Sequence, residues 1–236
     1  MLAIYKREMR YFFTSPVGYV FVAIFFAISA AIFMSLTVQA GEDANYNSYF
    51  SYIIMLCIVE IPLLTMKLLS EERKMKTDQL ILTAPVSLFG IVMAKFLAAY
   101  TLFGGSFLIS SVIYYIPLTM YGDPEFSIYA GSVIAVMLIG AAFVAVGEFI
   151  SSLTENQFLA AFGTIGALVL LIFAQTINGY INSEFVRSIF SAISVTSRFE
   201  YFMYGLFDWA SFIYFVSLIA VFLFLTVRVF EKRRWS

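Results

Sequence analysis

Six runs of about 20 mostly apolar residues, separated by short polar stretches, dominate the pattern of the chain. A helix crossing an apolar core of ~30 Å needs that length. The runs, at roughly 17–38, 50–68, 95–118, 128–150, 158–177 and 209–228, therefore predict six transmembrane helices. Two of the breaks, Gly41-Glu42-Asp43-Ala44-Asn45 and Gly122-Asp123-Pro124-Glu125, are acidic and rich in turn formers. The cations sit elsewhere. Lys6, Arg7 and Arg10 precede the first run, Lys67, Arg73, Lys74, Lys76 and Lys95 surround the second connection, and Arg228, Lys232, Arg233 and Arg234 close the chain. Only Arg187 and Arg198 fall on the other side, so the positive-inside rule predicts two cytoplasmic termini, as six crossings require.

Composition agrees with this pattern. The 236 residues are 62% hydrophobic and 12% charged, against about 25% charged in a soluble domain, which implies that lipid covers much of the surface. The length allows a single domain, an all-α bundle over 16–236 preceded by a segment at 1–15. There is no histidine and a single cysteine, Cys57, inside an apolar run. Disulfide frameworks, zinc sites and histidine proton shuttles thus lack their ligands, and Cys57 reads as a packing residue. No acid pair or Ser–Lys pair shares one membrane depth, which disfavours an intramembrane enzyme. No lysine follows a glycine, so the GxxxxGK[ST] phosphate loop is absent. Neither a cofactor site nor a nucleic-acid site is expected in this chain.

In the first segment Leu2, Tyr5, Met9, Phe12 and Phe13 recur at helical spacing, opposite Lys6, Arg7 and Arg10. An amphipathic helix lying on the cytoplasmic leaflet fits this pattern; a disordered basic tail is the plain alternative. Thr14-Ser15-Pro16 then offers a break, a cap and a first-turn proline. Val38-Gln39-Ala40 has the small residues of a cleavage site, but the run before it, about 22 residues, exceeds the 7 to 15 of a signal core. Between the last two runs, 178–208 is long and aromatic, and short helices in the outer interface are expected there.

The polar stretch between Lys67 and Lys95 predicts a short cytoplasmic helix, begun by Thr77 and Asp78 and stopped by Pro85, that displays Leu80, Ile81 and Leu82. An apolar knob on a charged stem suits a groove on another protein; a connector without a partner is the plain reading. Glu60 stands mid-run, where a carboxylate costs ~2.5–3.5 kcal/mol on insertion scales. It either hydrogen-bonds within the bundle, lines a pathway opened by Pro62, or marks a misplaced span. Glu148 reads as a capping or snorkelling neighbour of the turn that follows it. Ala160, Gly163, Thr164 and Ala167 form a small-residue stripe, to be buried within one bundle or used as a dimer seam.

Several segments in order, namely Tyr11-Phe12-Phe13-Thr14-Ser15-Pro16-Val17-Gly18-Tyr19, Pro62 through Glu72, Leu82-Thr83-Ala84-Pro85-Val86, Ser151 through Gln157, Leu225-Thr226-Val227-Arg228 and Arg233-Arg234-Trp235, carry a likeness to a known family. The chain resembles the ABC-2 type permeases, in particular the branch associated with gliding motility and with maturation of a copper enzyme. The resemblance implies a bacterial inner-membrane permease that pairs with a second copy or a related permease. It also implies two separate ATPase subunits, which carry the ATP and magnesium and dock on a coupling helix around Thr77 to Pro85. Glu71, Glu72, Thr77, Gln79, Leu80, Leu82 and Pro85 would form that contact. Where the family reads Gly-Thr-x-Glu, the chain has Lys76-Thr77-Asp78-Gln79. The same resemblance allows a membrane anchor that passes ATPase motion to an extracytoplasmic protein without transport.

Overall fold

The computed structural model describes residues 1–38, 46–76, 86–121, 124–179, 181 and 183–234. Among them the chain is helical throughout, in the order α1 (Leu2–Thr14), α2 (Pro16–Phe33), α3 (Tyr46–Thr65), α4 (Ser70–Lys74), α5 (Leu88–Tyr121), α6 (Phe126–Leu153), α7 (Gln157–Asn178), α8 (Glu184–Ile193), α9 (Thr196–Met203) and α10 (Trp209–Arg234). A π-helical turn, Met34–Val38, prolongs α2. Six helices are long and apolar enough to cross a membrane, and the chain is an all-α polytopic protein. The expected spans match to within a few residues, except that the last runs six residues beyond its expected end, to Arg234, and that the third begins early. The third was expected to begin at the charge of Lys95, whereas α5 begins seven residues earlier at Leu88. Lys95 is buried and paired, so its charge does not bound the helix.

Helices α3, α5 and α6 form the centre. Their most apolar stretches are 72%, 56% and 67% buried, against 28%, 33% and 22% for α2, α7 and α10, whose remaining surface is left to lipid or partners. Small residues set the closest crossings. A Cβ at Gly140 on α6 would collide with the Phe103 ring of α5, and one at Gly147 with Thr65 of α3. At the end of the bundle away from both termini, the core is aromatic: Phe33 stacks on Tyr114 at 4.6 Å between centroids, with Tyr49 edge-on to both. Tyr114 and Ser29 share a hydrogen bond of 3.0 Å, and the Tyr129 hydroxyl donates to the Ser111 carbonyl at 2.7 Å. Each ring thus buries its apolar body, and the hydroxyls of Tyr114 and Tyr129 stay satisfied.

The amphipathic first helix is present and is docked on the bundle. Phe12 is buried, Tyr5 and Met9 are half-buried, and Leu2 and Phe13 are exposed. α1 packs on α5 and folds back on α2. Ser15 is extended between the two helices (φ −92°, ψ 154°) and Pro16 opens the first turn of α2. The cap expected from Ser15 is not made, and its buried Oγ has no partner among the described residues. Gly18 allows the tight return, since any Cβ there would strike the Phe12 carbonyl. The long aromatic connection forms α8 and α9, as expected. Val195 donates its N–H to the Leu171 carbonyl (3.1 Å) and Thr196 its hydroxyl to that of Ile172 (2.8 Å), so α9 starts against the wall of α7.

Candidate functional site

The charges of the N-terminal helix and of the stretch after α3 converge where both chain termini lie. Glu8 is the lone acid in the basic run Lys6-Arg7-Glu8-Met9-Arg10, and it occupies the buried face of α1. Lys95 is the only charge between Val86 and Tyr121, and just 1% of its side chain is exposed. The Lys95 ammonium reaches Glu8 at 3.1 Å, Glu72 at 3.0 Å and the Leu68 carbonyl at 2.8 Å. Arg7 closes the ring, donating to Glu8 at 2.6 Å and to Glu72 at 2.7 Å. Two cations and two carboxylates thus join α1, α4 and α5. Beside them Tyr11 donates to Glu71 at 3.0 Å.

A cavity of about 220 Å³ adjoins the ring, lined also by Lys67 and Met75. Burial alone would raise the Glu8 carboxyl, but the nearby Lys95 and Arg7 outweigh it and hold the group below its ordinary 4.5. Burial lowers Arg7 and the two glutamates overcome that effect, leaving it raised. Tyr11 is pushed up to about 12, first by burial and then by its bond to Glu71. Glu8 and Arg7 are therefore charged and paired across the physiological range. That state suits a mechanical joint better than acid–base chemistry, since proton transfer asks for groups poised near the working pH.

The short helix α4 is fixed on its other side to α6 and α7. Helix α3 ends at Thr65 in a turn, after which the Leu69 and Ser70 N–H groups find a side-chain acceptor. Ser151 of α6 accepts both at 3.2 Å and donates to the Met66 carbonyl at 3.2 Å. Arg73 pairs with Glu155 at 2.9 Å and donates to the Leu153 carbonyl at 2.8 Å. From the last helix, Arg233 donates to the Ser152 carbonyl. α7 begins just beyond Glu155 on its cap Asn156, which accepts from the N–H groups of Phe158 and Leu159. At the far end of α4, Lys76 adopts φ +56°, a left-handed conformation that costs a side chain roughly 1–2 kcal/mol. It is the position at which the resembled pattern has glycine.

Of the residues singled out from sequence, Glu71 and Glu72 belong to this cluster. Thr77, Gln79, Leu80, Leu82 and Pro85 lie outside the described residues, immediately after α4. Glu60 is elsewhere, 2% exposed, with neither oxygen hydrogen-bonded. Among the described residues no hydrogen bond of the kind expected within the bundle is made by it, and its place inside α3 rules out a misplaced span. Pro62 is buried one half-turn on. The small-residue stripe divides: Ala160 and Thr164 are buried within the bundle, Gly163 is exposed and Ala167 is half-buried. Glu148 is corrected outright. It neither caps nor snorkels but is fully buried, with no partner for either oxygen among the described residues, within the field of Lys95 and Glu8.

Glu8, Lys95 and Ser151 were missed as site residues. A lone acid among bases and a lone base inside an apolar run are the sequence signal for the first two; nothing in the sequence marks Ser151. Among the described residues no group of three or more His, Cys, Asp or Glu side chains could hold a metal ion. The chain matches no family model and no curated protein.

Proposed function

We propose that this chain is the permease subunit of an ATP-driven transporter of the ABC-2 type, working as a pair on two separate ATPase subunits. The observation that carries the reading is the clamping of α4. The ion ring ties it to α1 and α5, and Ser151 with the Arg73 contacts ties it to α6 and α7. A push on residues 77–85 would pass through this braced stem into the central spans rather than dissipate in a loop. Coupling of this kind needs contiguous packed or ionic contacts between the effector site and a moving element. In this reading the end with both termini and the ion ring is cytoplasmic, in a bacterial inner membrane. ATP and magnesium act on the partner subunits, and the paired permeases alternate between two arrangements to move or extract a substrate.

Copurification tests the reading. The tagged chain, co-expressed with candidate ABC ATPases of its source organism, should retain one of them in neutral detergent. Changing Leu80 and Leu82 together to Asp should release it, because buried apolar anchors are worth about 2 kcal/mol or more each when truncated. Size-exclusion elution at an unchanged volume shows that the bundle still folds. Full recovery of the ATPase by the double variant rejects the docking segment. Failure of the native chain to hold any of them rejects the permease assignment. An ATPase-bound complex that moves no compound into vesicles, but binds a large extracytoplasmic protein, favours the force-transmitting anchor.

A further inference from the structure

The cleft between α2 and α3 contains a group that the ion ring does not use. It is a space of about 200 Å³ bounded by Val17, Val20, Phe21, Ile24, Leu63 and Glu60. Val20 is 51% and Leu63 38% exposed, so the cleft opens sideways, in the direction a membrane lipid would approach. Its wall is hydrocarbon except for Glu60, whose two buried oxygens have no hydrogen-bond partner among the described residues. Lys67 stands at the end nearer the termini, with Pro16. It stands in the turn that follows α3, and the two make no ion pair among those described.

An ionised carboxylate deprived of both water and partners is strongly disfavoured, and a donor that arrives with a ligand removes that penalty. A cation completes the site better than a neutral donor, because charge-assisted hydrogen bonds are about twice as strong as neutral ones. The second charge, Lys67 at the mouth, repels polycations and leaves a single compact ammonium as the matching head. We propose that the α2–α3 cleft binds a single-chain amphiphile through its ammonium group, with Glu60 as the counter-ion and the tail along Val20, Phe21, Ile24 and Leu63. The occupant is thus a cationic amphiphile taken from the bilayer. The site needs neither an ATPase nor transport, so the docking experiment and this one fail independently.

Protection of a reporter thiol measures occupancy on the full chain in maltoside micelles. Val20→Cys in a Cys57→Ser background places a thiol on the exposed lip of the cleft, where its alkylation rate by a maleimide is read. Decylammonium should slow alkylation at a concentration about tenfold lower than decanol or decyl sulfate, the preference expected of one hydrogen bond to a charged group. Glu60→Gln should erase that preference while the micelle effect common to all three remains. Ile24→Trp, which fills the cleft and keeps the carboxylate, should abolish the protection by decylammonium. Equal slowing by the three probes, or a preference that survives Glu60→Gln, overturns the assignment. So does a thiol already protected without amphiphile in a species of doubled mass, which would show a second copy of the chain covering the cleft.

Discussion

Lys95 shows at the scale of one residue how a charge in an apolar run is kept. Alone in the span it would be costly, yet with Glu8, Glu72 and the Leu68 carbonyl all three ammonium protons have acceptors at 2.8 to 3.1 Å. Such a pair is weak evidence for net stability but makes single replacements severe. Lys95→Met removes the buried cation that Glu8 and Glu72 share, and should destabilise the bundle by about 3 kcal/mol. The loss should be smaller in Lys95→Met combined with Glu8→Gln, and denaturation of the two variants in detergent measures the difference. Equal losses would show that Lys95 and Glu8 are not coupled. Glu148 obeys different physics, being buried within the field of Lys95 but without a hydrogen bond among the described residues. Sequence spacing could not distinguish these acids, because each sits in or beside an apolar helix and only the partner, distant along the chain, decides its state.

Among the elements, α1 departs furthest from its sequence reading. Its apolar positions recur at helical spacing and the helix forms, but the face turned to the bundle has an acid at its centre, because Lys95 supplies a counter-charge 87 residues away. Docking of α1 should therefore respond to acid. The folded-state carboxyl of Glu8 lies below 4.5, so its contribution is full above that value and is lost as pH falls through the lowered one. Amide exchange in residues 2–14, corrected for intrinsic rates, should accelerate below about pH 4.5 while the cores of α5 and α6 stay protected. In Glu8→Gln the exchange of α1 should be faster at neutral pH and less sensitive to acid. An unchanged exchange of α1 between pH 6 and pH 3 would show that the ion ring does not hold it. Helix α4 was less legible still. Five residues carry too little periodicity to predict, and its position follows from Ser151 and Arg73, contacts that link segments about 80 residues apart.

For the whole molecule, hydrophobic run length sufficed to place all six spans, because crossing an apolar layer is a one-dimensional requirement that the sequence states directly. Which spans form the centre was not legible, since α3 and α10 are comparably apolar but α3 is largely enclosed and α10 mostly exposed. The orientation rests on charge. Arg7, Arg73, Lys95 and Arg233 all make their contacts at the end of the bundle where both termini lie, and the far ends of α2, α3 and α5 meet around Phe33, Tyr49 and Tyr114 at the opposite end. That asymmetry predicts the labelling pattern of single cysteines in a Cys57→Ser chain. In intact cells, Asp43→Cys and Asp123→Cys should react with an impermeant maleimide, and Lys74→Cys should react only after permeabilisation. Lys74 is exposed on α4 and makes none of the ring contacts, so its replacement leaves the clamp in place. Labelling of Lys74→Cys from outside would invert the bundle. The clamp would then face away from any cytoplasmic ATPase, and the coupling assigned to it would fall while the six-span fold stood.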